Sequence, residues 1–296
     1  MKFAAIDIGS NAARLLLSNV YEEGDKVTFK KSSLIRIPLR LGFDAFAEHK
    51  ISEKKIDRFV KTMKAFKMLI DVHDVISYKA VATAAMREAS NGPEIVKRVA
   101  DEAGVNIEII TGEREAGIIY SNHIAEDLDP DKSYLYIDVG GGSTEVTLFA
   151  DKNVVASSSF NIGTIRLINN QVTDADWKFL KNFVQSITEG RTPLVGIGSG
   201  GNINKLYKMW GKKVGKPFPT KKLEKLRNTI EELSVVERIT ELGMNDDRAD
   251  VIVHAANIFL FILKAANIEK ILVPQIGLSD GIIHILYEEF KAKTAK

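Results

Sequence analysis

The sequence predicts an α/β fold made of two similar lobes, each a mixed sheet flanked by helices, with a cleft between them. Segments with the apolar pattern of strands are followed by segments of helical period in both halves of the chain. One motif occurs twice: a buried strand ends in an Asp and a glycine-bearing turn follows, at 6–11 (IDIGSN) and at 137–143 (IDVGGGS). The 296 residues are enough for two domains of ordinary size.

The first lobe is predicted to span 1–125. Three strands open it, and a helical period begins near Ile51, where Ser52 is a candidate helix cap. In chain order the predicted elements are strands over 3–8, 14–22 and 27–38, a helix from 51, a strand over 75–82, a helix over 94–103, a strand over 105–110 and a helix from 111 to about 125.

The second lobe, 126–296, repeats this plan, and we expect that its final helix, 283–296, can pack back on the first lobe. Ser234 and Glu237 have the spacing of a capping box. In chain order the predicted elements are strands over 134–138, 145–150 and 154–161, a helix over 174–189, a strand over 194–197, helices over 220–233, from 234 and over 248–266, a strand over 271–273 and a helix over 278–290.

Composition narrows the class of protein. Hydrophobic residues make up 45% of the chain and charged residues 27%, as in globular proteins. The formal net charge of +2 is too small to predict a nucleic-acid partner, and the longest apolar run, 258–263, is too short to span a membrane. Because the sequence has no cysteine and no signal-peptide pattern, we expect a cytoplasmic protein without disulfides.

The duplicated turn has the residue types of an anion and metal site. Glycine lets backbone N–H groups converge on an anion, which makes both turns candidate phosphate sites. Asp7 and Asp138, at the two strand ends, are candidate ligands of Mg²⁺ or Mn²⁺. One copy alone is as readily a plain hairpin with a solvated Asp, whereas two copies in matching context favour the functional interpretation. Neither copy continues into the Gly-Lys-Ser/Thr of a Walker A loop.

Arg14 and Glu145 lie at equivalent places, each seven residues after its Asp. We expect Glu145 to bind metal and Arg14 to neutralise phosphate, although a polar strand face in water explains the spacing equally well. Gly200 and Gly201 belong to a glycine-rich turn before a helix, which is a weak signal for N–H groups that bind phosphate or ribose.

Glu115 and Arg87 are two further candidates. Glu115 lies at the start of a predicted helix, where a carboxylate is more often a surface charge that stabilises the helix dipole than a general base. Arg87 follows a strand, where a cation can hold an anion at the edge of the sheet, but an exposed arginine without a function is equally consistent. The five histidines have no metal-ligand spacing, and we interpret them as structural.

Four motifs in fixed order carry a resemblance over essentially the whole chain. They are 7–11 (DIGSN), 82–91 (ATAAMREASN), 112–116 (GEREA) and 138–145 (DVGGGSTE). With these motifs the sequence resembles the exopolyphosphatase / guanosine pentaphosphate phosphohydrolase (Ppx/GppA) family of the actin–hexokinase–Hsp70 superfamily. The resemblance implies a duplicated ribonuclease H-like fold and Mg²⁺-dependent removal of a terminal phosphate from polyphosphate or pppGpp.

The resemblance also implies roles for individual residues. It implies that Glu115 is the catalytic base and that Asp138 and Glu145 help to bind metal or water. The residues implied to bind phosphate are Ser10, Asn11, Arg87, Gly140, Gly141, Gly142 and Ser143. Two features depart from the family: the sequence shows no C-terminal helical region of the HD type, and the family's Gly-Leu-Arg-Glu-Gly reads GLSDG at 277–281. From the first departure we expect a preference for short polyphosphate.

We therefore expect a hydrolase of phosphoanhydride bonds that acts on polyphosphate or pppGpp, without a nucleic-acid or membrane partner; a homodimer is left open. Two other classes also stay open, a non-catalytic sensor that binds (p)ppGpp or polyphosphate and a small-molecule kinase of the same superfamily. The presence of Glu115, Asp138 and Glu145 argues against the sensor. The kinase would need an acceptor pocket with a catalytic Asp, which the sequence does not identify.

Overall fold

The computed structural model describes residues 1–120, 129–151, 153–211 and 215–294. The chain forms two compact units, of which the first contains Met1–Asn122 and Gly277–Lys296 and the second contains His123–Ile276. Each unit has a mixed sheet flanked by helices, so the predicted α/β class with a duplicated sheet is confirmed. The predicted boundary between 125 and 126, and the end of the helix predicted from 111 to 125, lie outside the described residues.

The described strands follow in chain order. They are β1 (Lys2–Ile8), β2 (Ala12–Glu23), β3 (Lys26–Pro38), β4 (Ser77–Ala82), β5 (Ile107–Ile109), β6 (Ser133–Val139), β7 (Thr144–Ala150), β8 (Asn153–Phe160), β9 (Leu194–Ser199), β10 (Phe218–Pro219) and β11 (Lys270–Leu272).

The described helices follow in the same way. They are α1 (Leu41–Glu48), α2 (Glu53–Val72), α3 (Ala84–Glu88), α4 (Gly92–Ala103), α5 (Gly112–Tyr120), α6 (Thr164–Ile168), α7 (Asp174–Thr188), α8 (Gly201–Trp210), α9 (Thr220–Glu232), α10 (Val235–Thr240), α11 (Asp246–Ala249), α12 (Ile252–Ala265) and α13 (Leu278–Thr294).

The first sheet has five strands in the order β3-β2-β1-β4-β5. The central strand β1 is buried along nearly its whole length; it pairs antiparallel with β2 and parallel with β4, which in turn pairs parallel with β5. The carboxyl ends of the parallel strands β1, β4 and β5 therefore meet at one edge, and the segments that follow them gather there.

The last helix, α13, completes the core of the first unit. It packs against β1, β2, β4 and α5. The ring of Phe3, on β1, meets the rings of Tyr287 and Phe290 edge-on, with centroids 6.5 and 5.9 Å apart. The Tyr287 hydroxyl donates to Glu22 Oε1 at 2.7 Å. The first unit is thus built from two segments that the whole second unit separates in the sequence.

The second sheet has six strands in the order β10-β11-β9-β6-β7-β8. Strand β6 pairs antiparallel with β7 and parallel with β9, as β1 does with β2 and β4. Helix α12 lies at the centre of this unit, packed against α6, α7, α8, α9 and β6, and its apolar run 258–263 is mostly buried. In the described part of the chain, each helix is too short or too polar to span a bilayer.

Three short helices, α1, α3 and α6, differ from the sequence expectation. Each spans five to eight residues, which is too short to show a helical period. The helix predicted over 248–266 is wrong as one element, because the Val251 N–H donates to Arg248 O at 3.2 Å and this tighter turn separates α11 from α12. The capping box of Ser234 and Glu237 is confirmed at the start of α10.

Candidate functional site

The first duplicated turn joins β1 to β2 at the carboxyl edge of the first sheet. Asp7 lies opposite Arg14 in the register of the two strands and is only 4% exposed. Arg14 Nη1 donates to Asp7 Oδ2 at 2.7 Å, so the seven-residue spacing in the sequence places these two charges side by side. Because this guanidinium already neutralises Asp7, a further cation gains less at that carboxylate.

Backbone N–H groups in α1 and just before it donate to carbonyl groups of the first turn. The Gly42 N–H, in the first turn of α1, donates to Ser10 O at 2.8 Å, and the Arg40 N–H donates to Asn11 O at 2.8 Å. In a trans peptide the N–H points away from the C=O of the same plane. The N–H groups of Asn11 and Ala12 therefore face away from α1, which is the orientation that an anion site on the other side of the turn requires.

Arg87 and Glu115 lie at the same edge of the first sheet. Arg87 is in α3, just after β4, and its Nη1 donates at 2.8 Å to the carbonyl oxygen of Ile110, just after β5. Helix α5 begins at Gly112, and Glu115 lies half-buried in its first turn, with its N–H bonded to Thr111 O at 2.9 Å. The carboxyl ends of β1, β4 and β5 thus bring the first turn, Arg87 and Glu115 to one edge.

In the second unit, Asp138 and Glu145 lie directly opposite each other on β6 and β7. Opposite residues of an antiparallel pair project from the same face, so the two carboxylates share one face of the sheet. Ser199 Oγ donates to Asp138 Oδ2 at 3.2 Å, and Ser159 Oγ donates to Glu145 Oε1 at 2.8 Å. Glu145 is only 3% exposed, and a carboxylate so deeply buried needs hydrogen bonds or a cation to offset its lost hydration.

The second duplicated turn directs three successive carbonyl groups toward α6. The three bonds are Thr164 N–H to Gly140 O at 3.1 Å, Ile165 N–H to Gly141 O at 2.9 Å and Arg166 Nε–H to Gly142 O at 2.6 Å. By the geometry of the trans peptide, the N–H groups of Gly141, Gly142 and Ser143 face the opposite way. Within the described residues, these three N–H groups have no acceptor. The second turn therefore has the donors of an anion-binding concavity.

The turn after β9 closes around Asp138. Gly200 has φ +97°, and a Cβ at this position would lie 2.9 Å from Asp138 Oδ1. Any other residue would strain the backbone and crowd the carboxylate, which explains the glycine. Helix α8 begins at Gly201, so the positive end of its dipole lies beside Asp138. The structure thus brings Gly200 and Gly201 to the second turn, and their contact with phosphate stays a prediction.

Helix α8 also has two lysine side chains, which lie beyond its first turn. Lys205 and Lys208 lie three residues apart on the helix, and Lys205 Nζ donates to Leu242 O at 3.1 Å. Burial lowers the pKa of Lys205 below its ordinary value, and the positive charges of Arg248 and Lys208 lower it further. Lys205, Lys208 and Arg248 are thus close enough for their charges to influence one another.

Asp138 and Glu145 are the pair that fits a divalent metal. Among the described residues, no group of three or more Asp, Glu or His side chains is arranged to hold an ion. Mg²⁺ commonly takes one or two carboxylates and completes its octahedron with water and phosphate oxygens. Two carboxylates on one face, beside N–H donors for phosphate, suit that coordination, whereas Asp7 is paired with Arg14.

Three residues near the second turn, Ser199, Ser159 and Arg166, are not among the site residues predicted from the sequence. Ser199 and Ser159 bond to the two carboxylates, and Arg166 bonds to the turn. The signal for the serines is their register: Ser199 pairs with Asp138 and Ser159 pairs with Glu145. Strand register cannot be read from one strand alone. Arg166 lies in α6, one of the short helices without a visible period.

A model of the Ppx/GppA phosphatase family matches residues 33–290 of this chain. A crystal structure of the Aquifex aeolicus member of that family superposes with a TM-score of 0.76 at 28% identity, covering 98% of each chain. Its agreement with this chain supports the two-lobed α/β architecture.

Several known proteins are similar in sequence to this chain, over different fractions of their own length. Exopolyphosphatase 1 of Mycobacterium tuberculosis is 24% identical over 310 residues, which cover 96% of this chain and 87% of that protein. The guanosine-5′-triphosphate,3′-diphosphate pyrophosphatase of Photobacterium profundum is 24% identical over 98% of this chain and 60% of its own length. The bifunctional 3-dehydroquinate synthase/phosphatase of Fusobacterium nucleatum is 34% identical over 168 residues, 55% of this chain and 25% of that protein. This chain thus spans less than two thirds of the last two relatives.

Proposed function

Because the chain belongs to the Ppx/GppA phosphatase family, we propose that it hydrolyses phosphoanhydride bonds and removes the terminal phosphate from polyphosphate or from pppGpp. The observation that carries the proposal is the second turn, where the N–H groups of Gly141, Gly142 and Ser143 face away from α6 beside two carboxylates. The names of the relatives make both polyanions candidate substrates.

In the proposed reaction, the oxygen of a water attacks the terminal phosphorus and the bridging P–O bond breaks. The attacking oxygen leaves in the released phosphate, and the bridging oxygen stays on the shortened substrate. Glu115 accepts the proton of the water as general base. The phosphoryl group carries its charge on three oxygens in the transition state, and the fixed N–H groups of the turns stabilise that charge without reorganisation.

Asp138 and Glu145 are the residues that would hold Mg²⁺ or its waters. When bound, the ion supplies charge neutralisation at the phosphate oxygens. The hydroxyl groups of Ser199 and Ser159 donate to these carboxylates and so fix the orientation of their oxygens.

The remaining phosphate contacts are assigned by charge and by position at the two turns. We assign them to Ser10, Asn11, Arg14, Arg87, Gly141, Gly142, Ser143, Gly200 and Gly201; Gly140, proposed from the sequence for the same role, would shape the turn instead, because its N–H donates to Ser143 O. Arg87 and Arg14 each already hold a protein oxygen, which fixes their guanidinium groups before a substrate arrives. Such preorganisation reduces the entropy that is lost on binding.

A phosphate-release assay with tripolyphosphate, longer polyphosphates, pppGpp and ATP, each with Mg²⁺ and with EDTA, tests this function. We expect release from at least one of the first three substrates with Mg²⁺ and loss of release in EDTA. Binding of these polyanions without release would identify a sensor instead, and release that survives EDTA would overturn the metal role. Comparison of chain lengths measures how release depends on the length of the polyphosphate.

A further inference from the structure

Arg166 is a buried cation that the proposed reaction does not use. It is 9% exposed, lies in the five-residue helix α6, and donates from Nε to Gly142 O at 2.6 Å. An arginine is almost never buried without a partner that offsets its desolvation. One partner here is a backbone carbonyl group of the second turn, that of Gly142.

The bond from Arg166 differs in kind from the other two that hold this turn. The carbonyl groups of Gly140 and Gly141 accept N–H groups of the α6 backbone, which any residue at those helix positions supplies. The carbonyl group of Gly142 accepts a side chain. Of these three bonds, the one that orients the Gly142–Ser143 peptide is therefore the one that depends on a particular side chain.

Close backbone contacts restrict the conformation of the chain around the Gly142–Ser143 peptide. A Cβ at Gly163, directly before α6, would lie 2.3 Å from Gly141 O and 2.5 Å from the carbonyl carbon of Gly142. The turn and the start of α6 are thus in backbone contact. Within that contact, rotation of the Gly142–Ser143 peptide would replace an N–H by a C=O on the side opposite α6. A carbonyl dipole there repels an anion, whereas the N–H attracts it.

We propose that Arg166 is a positioning residue, which holds the Gly142–Ser143 peptide so that the Ser143 N–H donates to a phosphate oxygen of the substrate. This inference rests on the proposed function of the second turn. Arg166 itself does not contact the substrate; it acts through the Gly142 carbonyl group. A bond from a guanidinium is among the stronger hydrogen bonds in proteins, so its loss is expected to be measurable.

The test compares Arg166→Met with Arg238→Met as a matched control. Arg238 lies in the same unit and also donates its guanidinium to backbone carbonyl groups, Ile230 O and Ala249 O, each at 2.9 Å. Both variants lose a partly or fully buried guanidinium, so both lower the thermal midpoint. We expect only Arg166→Met to raise KM for tripolyphosphate with Mg²⁺, by about tenfold or more. Arg166→Lys retains the charge and one donor, and its KM is expected to lie between those of the parent and Arg166→Met.

A spectroscopic measurement keeps the inference testable without turnover. Addition of tripolyphosphate should shift the amide ¹H–¹⁵N signals of Gly141, Gly142 and Ser143 in the parent protein. In Arg166→Lys and Arg166→Met the shift of Ser143 should shrink, while Arg238→Met should reproduce the parent. If Arg166→Met does not fold, Arg166→Lys carries the comparison.

The outcomes separate this inference from the proposed function. If the parent protein neither releases phosphate nor shows amide shifts, the proposed function fails. If the parent does both and the Arg166 variants match Arg238→Met in KM and in the Ser143 shift, Arg166 is only a structural residue and the inference is overturned.

Discussion

Single residues distinguish the two duplicated turns more clearly than their backbones do. Both turns are closed by the same bond, from the Gly9 N–H to Ala12 O at 3.1 Å and from the Gly140 N–H to Ser143 O at 2.9 Å. At the equivalent position seven residues after the Asp, however, Arg14 forms an ion pair, whereas Glu145 adds a second carboxylate. The same backbone turn thus stands beside a neutral ion pair in the first unit and beside two carboxylates in the second.

Glu115→Gln is the first prediction at this scale. The change keeps the size of the side chain and removes the proton acceptor, so we expect turnover to fall by roughly 10²–10⁴ with little change in substrate binding. Glu113→Gln is the matched control, because Glu113 is exposed in the same first turn of α5. Equal, small effects of the two substitutions in the phosphate-release assay would make Glu115 a surface carboxylate.

Asp138→Asn is the second prediction. The amide keeps the shape and can still accept the Ser199 hydroxyl, but it loses the charge that attracts a divalent cation. The Mg²⁺ concentration for half-maximal phosphate release should therefore rise by about tenfold or more. The control is Asp151→Asn, an exposed carboxylate at the far end of β7. An unchanged Mg²⁺ titration of Asp138→Asn would contradict the proposed metal role.

Sequence patterns at the residue scale are informative where a residue type has few alternatives. Asp7 and Asp138 follow apolar strands and precede glycine-bearing turns, and the structure places both at strand ends as predicted. Ser159 and Ser199 could not be found in this way. Their partners are on other strands, and the sequence around neither serine identifies the carboxylate to which it bonds.

At the scale of elements, the two compact units share a longer series of strands and helices than the duplicated turn alone indicates. Each has a hairpin, a third antiparallel strand and then a short helix, α1 or α6, that donates backbone N–H groups to the turn. The long strands and helices could be predicted because their apolar period persists over many residues. The short helices could not, because bonds to the turns rather than periodicity define them.

A prediction at this scale concerns the start of α7. The Thr173 hydroxyl accepts the Asp176 N–H, and the Asp176 carboxylate accepts the Thr173 N–H and hydroxyl at 2.8 and 2.6 Å. Thr173→Ala should lower the free energy of unfolding by about 1 kcal/mol, the usual value of a helix cap. Urea denaturation at pH 7 measures this loss, and the exposed Thr229→Ala, inside α9, is a comparison without a cap.

The same cap predicts a pH dependence. The hydrogen bonds from Thr173 lower the pKa of Asp176 below its ordinary value of 3.8. A lowered pKa means that the folded state stabilises the ionised carboxylate, so this stabilisation is present above pH 3.8 and is lost as the pH falls below it. The difference in unfolding free energy between the parent and Thr173→Ala should therefore shrink below about pH 3.8. A difference that grew on acidification would contradict the assignment.

For the whole molecule, the family assignment and the two-lobed α/β fold predicted from ordered motifs are confirmed. The motifs predict the fold of the whole chain because together they mark several strand ends in both of its halves. From the sequence we expect that the final helix, 283–296, can pack back on the first lobe, but no local pattern identifies the residues that it contacts there. Its contacts with Phe3 and the sheet exist only in the folded chain.

Deletion of 277–296 is the prediction at this scale. The deletion uncovers the face of the first sheet on which Tyr287 and Phe290 lie, so the first unit should lose its cooperative unfolding transition while the second keeps its own. Hydrogen exchange should then be fast in β1 and remain slow in β6. Equal protection of β1 in the parent and the truncated chain would show that α13 is dispensable for that core.

The discontinuity of the first unit also sets an order of events during synthesis. The ribosome finishes all of 123–276 before it releases α13, and at typical translation speeds that takes on the order of ten seconds or more. The second unit can therefore fold while the nascent β1 still lacks its cover. The unit that is translated first is the one completed last, and in the interval its apolar face is a target for chaperones that bind nascent chains.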